Sequence, residues 1–99
     1  MKENPLKDKS YEFAIRIVKL SQFLQQDKKA FVLSKQVLRS GTAIGALIRG
    51  AEFGQSKADF ANKMSISLKE ANETEYWLSL LKDTDFIGEG QFKILQSDY

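Results

Sequence analysis

The residues of this sequence that most resemble a catalytic group are carboxylates. Three of them lie close together in the segment LKEANETEYW: Glu70, Glu73 and Glu75. Paired carboxylates can act as general acid and general base. However, Glu70 and Glu73 are one turn apart on a predicted surface helix, and Glu75 points in another direction. We therefore interpret all three as interface or solubility charges.

The residue types that most often carry enzyme and metal chemistry are missing. The chain has no histidine and no cysteine, so the usual general base, the thiolate nucleophile and the ligands of structural zinc are absent. No glycine-rich phosphate loop follows a strand, because no segment alternates with the period that a strand requires. We predict a protein that is not an enzyme and that uses no cofactor and no metal.

Basic residues form a second candidate group. Residues 1–57 contain eleven Lys or Arg against five Asp or Glu, and residues 58–99 contain four against eight. This asymmetry indicates that the halves pair with each other or that the basic half meets an acidic partner. The candidate nucleic-acid contacts are Lys9, Arg16, Lys19, Lys28 and Lys29. No aromatic platform accompanies them, so binding would be to phosphate and RNA shape; a solvated helix face is the alternative.

Apolar residues three and four apart predict the helices that carry these groups. We expect a single domain over residues 1–99 with helices at about 10–26, 34–53, 56–84 and 90–98. Ser34 and Ser56 resemble helix N-caps, and Gly54 suits a left-handed helix end. Short connections make successive helices antiparallel. The predicted fold is an all-α, up-down-up-down four-helix bundle whose fourth helix is short, in a chain that we expect to continue beyond Tyr99.

The location of the protein is constrained by three absences in the sequence. No run of about 18 apolar residues could span a membrane, and the opening MKENPLKDKS lacks the apolar region of a secretory signal. The missing cysteines fit a reducing compartment. We predict a cytoplasmic protein that does not act at a membrane.

Glycines in the second predicted helix, at positions 41, 45 and 50, need a reason, because each costs about 1 kcal/mol relative to alanine. The inner stripe of the third helix carries small residues at its middle, namely Ser67, Ala71 and Thr74. We expect these small residues to let the second and third helices approach closely, and we expect Gly50 to pack between subunits.

A second apolar face on the third helix predicts self-association. Ile66, Trp77 and Leu80 project away from its core side, and acidic residues stand among them, whereas the outer side of the second helix is thin and basic. Faces that differ in shape and charge make heterologous contacts, which form rings or filaments. The predicted self-association residues are Arg39, Ala43, Ala46, Arg49, Gly50, Ile66, Glu70, Glu73, Trp77 and Leu80. Packing of the same apolar residues inside one bundle is the alternative.

Four segments resemble a known family of bacterial proteins. They are SYEFAIRIVKL, FVLSKQVLRSGT, RSGTAIGALIRGAEFGQSKADF and KMSISLKEANETEYWLSLL, and they cover roughly residues 10–87. The resemblance is to the four-helix-bundle proteins first noticed in intervening sequences of 23S ribosomal RNA genes. A related protein is the accessory protein (Avd) of diversity-generating retroelements. The sequence departs from the family pattern at Leu47, where Asn is common, and at Gly50, where Glu is common.

The resemblance implies both an assembly and a partner. It implies an antiparallel four-helix bundle that forms a pentameric, barrel-like ring and associates with structured RNA or with an RNA-handling protein. The motif positions carried over are Arg39, Ser40, Gly41, Ile44, Gly45, Glu73, Glu75, Tyr76 and Trp77. Our functional hypothesis is a non-catalytic oligomeric scaffold that associates with RNA. The alternative is a protein-binding adaptor ring that does not contact nucleic acid.

Overall fold

The segments with helical apolar spacing all form helices. In a computed structural model, which describes residues 4–96, the elements are α1 (Pro5–Gln26), α2 (Phe31–Glu52), α3 (Lys57–Asp83) and α4 (Glu89–Gln96). The predicted all-α antiparallel bundle with a short fourth helix is confirmed. The last part of the predicted fourth helix, at 97–98, lies outside the described residues. No helix within 4–96 is both long enough and apolar enough to cross a membrane.

Helix α1 begins earlier than the apolar spacing predicted. The side chain of Asn4 accepts a hydrogen bond from the backbone N–H of Lys7 at 3.1 Å, and Pro5 occupies the first helical position. Both are favoured at a helix start, because the Asn oxygen satisfies a free donor and proline has no N–H to lose. Ser10, the expected start, is instead buried within the helix.

Helix α2 begins at Phe31, so Ser34 is not its N-cap as predicted. The capping position is Ala30, which makes no side-chain hydrogen bond. Ser34 is fully buried, with its Oγ 2.6 Å from Oγ of Ser21 and 2.9 Å from the Ser21 carbonyl oxygen. Its hydroxyl therefore joins α2 to α1, and the predicted cap is in fact an interhelical contact.

The helix that approaches Gly41 and Gly45 of α2 is α1, whereas the sequence suggested α3. A Cβ atom built on Gly41 would lie 2.8 Å from Cγ1 and Cγ2 of Ile17, and one on Gly45 would lie 3.3 Å from the backbone oxygen of Ser10. Both neighbours belong to α1. Gly54 also differs from expectation, because no described glycine has a positive φ angle.

Small polar residues make the contact between α2 and α3, as the inner stripe of α3 predicted. Ser67 Oγ donates to the backbone oxygen of Ile44 at 3.1 Å, and the hydroxyls of Thr74 and Ser40 lie 3.0 Å apart. All four residues are buried. Because side chains this short separate the helices, backbone and hydroxyl groups of one helix can reach those of the other. Phe60, seven residues before Ser67 on α3, is half exposed.

Sharp ends on α3 return the chain to the core. Ser56 caps its start by accepting from the N–H of Asp59, as predicted. At the other end Asp85 has a φ of 65°, and the N–H of Phe86 donates to the oxygen of Leu81 at 2.9 Å. This Schellman-type end leads into α4. Side chains from all four helices and from the loop before α4 then share one apolar core: Phe13, Ile17, Leu20, Leu24, Val37, Ile44, Ile48, Leu78, Leu81, Ile87, Phe92 and Leu95.

Candidate nucleic-acid interface and self-association faces

The five predicted nucleic-acid contacts lie along α1 and in the turn that follows it. We call Lys9, Arg16, Lys19, Lys28 and Lys29 the basic flank. All five are exposed. Residues seven apart lie above one another on a helix, so Lys9 and Arg16 follow the same line along α1. Lys28 and Lys29 follow the last residue of the helix, and Lys29 makes the turn with a φ of 55°.

Three cations of the basic flank have no carboxylate partner in the part of the chain that the structure describes. Within residues 4–96, Lys9, Lys19 and Lys29 form no ion pair, whereas other basic residues of the chain do, such as Lys7 with Glu52 at 3.2 Å. Three acidic residues of α1 and its turn, at positions 8, 12 and 27, reduce the charge of the region, and the six Lys or Arg of residues 5–29 leave a net charge of +3. This surface can attract a polyanion.

The basic flank borders a groove between α1 and α4. Its volume is ≈ 430 Å³, and its lining residues are Arg16, Lys19, Leu20, Phe23, Gln91, Ile94 and Leu95. The floor is apolar, because Leu20 and Leu95 belong to the core cluster. The rim is cationic on the α1 side and carries an amide on the α4 side.

An aromatic ring accompanies the basic flank, although none was expected from the sequence. The ring of Phe23 is half-buried against the core, and Nζ of Lys28 lies 5.9 Å from its centroid. The spacing of Phe23 from Arg16 is again seven residues, a signal that was present in the sequence. The groove residues of α4, such as Gln91, could not be found that way, because tertiary packing alone brings them to α1.

Arg39 joins two of the predicted acidic interface residues within one chain. Its guanidinium donates to Glu70 at 3.0 Å and also to Glu73, and Nε1 of Trp77 donates to Glu73 at 3.4 Å. The sequence suggested that Arg39 and these glutamates lie on opposing faces of different subunits. They lie together because the edges of neighbouring antiparallel helices α2 and α3 meet, which angles measured on each helix alone do not reveal. We call this surface the α2–α3 face.

Trp77 is less exposed than its predicted position on the outer face of the third helix suggested. It is half-buried, packs against the core cluster and meets the ring of Tyr76 edge-on at a centroid distance of 5.1 Å. Ile66 is 39% exposed and Leu80 is half-buried on the same helix. Ala43, on the facing helix α2, is half-buried as well. The apolar part of the α2–α3 face is therefore partly covered within the chain, and its self-association role stays a prediction.

Two other predicted interface residues lie elsewhere, in a cleft between α1 and α2. Ala46 and Arg49 line this cleft of ≈ 350 Å³ together with Tyr11 and Gly45. The guanidinium carbon of Arg49 is 5.8 Å from the ring centroid of Tyr11. Gly50 belongs to neither group, because a Cβ there would meet the side chain of Lys63 at an ordinary 3.5 Å. The other nine predicted residues thus divide between two separate surfaces.

The three carboxylates considered for catalysis do not converge. Glu70 and Glu73 share Arg39, whereas Glu75 lines a different groove, of ≈ 550 Å³, with Leu6 and Met64. Among titratable groups, Asp59 has a lowered pKa because Lys63 donates a hydrogen bond to its side chain and the N–H of Gln55 donates another. That aspartate lies at the start of α3, away from these glutamates. No group of three potential metal-binding side chains occurs within residues 4–96.

Comparison with known proteins identifies relatives over nearly the whole chain. The sequence matches the profile of the 23S rRNA-intervening sequence protein family over residues 2–99. A crystal structure from Bacteroides thetaiotaomicron, of a protein with unknown function from the S23 ribosomal protein family, is similar. It shares 60% sequence identity at a TM-score of 0.93, covering 94% of this chain and 86% of that chain. The comparison with curated proteins gave no match.

Proposed function

This chain belongs to the family of 23S rRNA-intervening sequence proteins, and on that premise we propose that it is a non-catalytic, cytoplasmic, oligomeric scaffold that associates with structured RNA. The observation that carries this proposal is the basic flank. Its cations are exposed, and Lys9, Lys19 and Lys29 have no carboxylate partner among the described residues. The phosphate groups of RNA are the polyanion that such a surface would contact.

The salt dependence of binding follows from the number of phosphates contacted. If the five cations of one protomer neutralise phosphates of a single-stranded segment of the RNA, the affinity falls by about 100-fold between 50 and 200 mM salt, from a slope of about 0.7 per contact. Weak contacts of several protomers add through effective concentration when the protein assembles. Assembly would therefore raise the affinity of the basic flank for RNA.

Two surfaces support assembly by a heterologous contact. The α2–α3 face presents Ile66 and Trp77, and the α1–α2 cleft presents the small side chain of Ala46 together with the exposed ring of Tyr11 on α1. The two surfaces differ in shape, so the surface of one copy would meet the other surface of the next. Such contacts close into a ring when the rotation allows it, and we propose a pentamer.

A gel-shift titration of structured RNA across salt concentrations tests the proposal. We expect binding at low salt, with the steep loss calculated above. A matched pair of variants locates the site: Lys19→Ala removes a cation of the basic flank, and Lys69→Ala removes an exposed cation of α3. Lys19→Ala should weaken binding more than Lys69→Ala. No binding at low salt, together with a co-purifying protein, would replace the proposal with a protein-binding adaptor ring.

Sedimentation velocity tests the assembly. Trp77→Ala should give a smaller species than the unchanged protein. Because Trp77 also packs on the core, a second variant is needed: Ala46→Glu adds a charge at an exposed position of the α1–α2 cleft, and it should also yield the smaller species while circular dichroism stays helical. A protein that sediments as a single chain before any substitution contradicts the scaffold.

A further inference from the structure

We propose that the groove between α1 and α4 holds an unpaired nucleobase of the RNA. This inference rests on the proposed function and specifies its ligand as a single-stranded or looped segment. The flank alone predicts contacts with phosphate, which every RNA offers. The groove adds an apolar floor and an amide at its edge, and phosphate binding does not require either of them.

The walls of the groove match the surfaces of a base. Leu20 and Leu95 are almost fully buried and give an apolar floor, and the half-buried ring of Phe23 provides an aromatic surface beside it. Unstacked RNA bases are recognised by stacking on such side chains. The volume of ≈ 430 Å³ lies in the lower part of the range for small-molecule sites, about 300–1,000 Å³. A groove of this volume is large enough to admit one base.

An amide stands where the edge of a base would be read. Gln91 is exposed at the rim, on the α4 side of the groove. Its side chain offers both donors and an acceptor, which is the combination that the hydrogen-bonding edge of a base requires. Among the described residues the charged side chains that line the groove, Arg16 and Lys19, are both cationic, which favours the neighbouring phosphates.

The cations around the groove lie where the backbone of that nucleotide would run. Arg16 and Lys19 form its α1 rim, and Lys28 covers the ring of Phe23 at 5.9 Å. A cation–π contact at an exposed site is weaker than a base stacked on an aromatic ring. An entering base can therefore displace the ammonium of Lys28 from the ring, and the displaced charge stays close enough to meet a phosphate.

Helical duplex RNA cannot supply this ligand. Its bases are paired and stacked, and proteins read it through 2′-hydroxyls and phosphates across the shallow minor groove. Loops, bulges and single strands can turn a base outward. The structure thus favours unpaired segments over duplex of equal charge.

Fluorescence anisotropy with two labelled RNAs of equal phosphate number tests the inference: an unstructured single strand and a blunt-ended duplex. We expect the single strand to bind more tightly. Phe23→Leu keeps an apolar side chain and removes the ring, and it should weaken single-strand binding by about tenfold, within the effect of losing one stacked base. Duplex binding should change little.

Because Phe23 contacts the core, Gln91→Ala provides a test at an exposed residue. It should weaken single-strand binding, and the matched control Gln25→Ala, also an exposed glutamine but outside the groove, should not. Equal affinity for both RNAs, unchanged by Phe23→Leu and Gln91→Ala but steeply salt-dependent, would overturn the base site and leave the proposed function intact. No binding of either RNA at low salt would overturn both.

Discussion

Replacing Gly41 by alanine tests how closely α1 and α2 pack. Alanine favours a helix interior by about 1 kcal/mol over glycine. Its Cβ would lie 2.8 Å from two side-chain carbons of Ile17, which is fully buried and β-branched and so cannot rotate away easily. Overpacking of this kind costs about 1–3 kcal/mol. The free energy of unfolding should therefore stay unchanged at best, or fall by up to about 2 kcal/mol.

Gly50→Ala is the matched control in the same helix. Its Cβ meets only the flexible side chain of Lys63 at 3.5 Å, so the gain in helix propensity of about 1 kcal/mol should appear undiminished. The two alanine variants should then differ by about 1–3 kcal/mol. For a domain of this size each kcal/mol corresponds to roughly 4–8 °C in Tm.

Urea denaturation followed by circular dichroism measures both variants. The protein concentration must be fixed, because assembly would make apparent stability depend on it. A double variant isolates the clash, because Ile17→Ala removes both of the carbons that the new Cβ of Gly41→Ala would contact. In that background, Gly41→Ala should become stabilising, although Ile17→Ala alone costs about 2–5 kcal/mol. If Gly41→Ala stabilises the unchanged protein as much as Gly50→Ala does, the close approach of α1 and α2 is refuted.

Three further substitutions test single features of the fold. Ser34→Ala should lower the unfolding free energy by about 1–3 kcal/mol, because the buried Ser21 hydroxyl loses its partner at 2.6 Å and keeps only the Ser34 carbonyl oxygen at 3.5 Å. Adding Ser21→Ala should restore part of this loss; losses from the two substitutions that simply add in urea denaturation would argue against the pair. Asp85→Gly should raise stability by about 0.5–1 kcal/mol, because glycine adopts a positive φ without strain; a lower Tm would contradict this. Asp59→Asn should lower the Tm above the usual pKa range of aspartate, where the folded state favours the charged carboxylate, and the difference should vanish as pH falls through the lowered pKa. A difference that persists in acid would exclude the hydrogen bond from Lys63 as its cause.

Much of the fold could be predicted because the core of each helix follows helical spacing. Apolar residues spaced three and four apart are buried along α1, from Phe13 to Leu24, and along α2, from Val37 to Ala51. Helix starts were harder to predict. Ser34 is of a residue type that often caps helices, but its hydroxyl forms hydrogen bonds with Ser21 of α1. The start of α1 carried a readable signal in Asn4 followed by proline, which apolar spacing does not detect.

The candidate surfaces could be predicted in residue type but not in arrangement. The cations of the basic flank follow from the sequence, because exposed positions of a helix are fixed by its buried stripe. The pairing of Arg39 with Glu70 depends on which edge of α2 meets α3. The position of Gln91 in the same groove as Phe23 depends on how α4 packs after the turn at Asp85. Both are consequences of tertiary packing between residues about 30 and 70 positions apart.

The central position of α2 explains why recognition and stability should be separable in this protein. Packing on α1 through Ser34 and Gly41, and on α3 through Ser40 and Ile44, uses both flanks of α2 for internal contacts. The surfaces left for partners are then carried mainly by the outer helices, with the basic flank on α1. Substitutions such as Lys19→Ala should therefore change RNA affinity without changing unfolding, and substitutions at the buried glycine and serines of α2 should do the reverse. A variant of the basic flank that loses RNA binding and stability together would show that α1 cannot serve both roles independently.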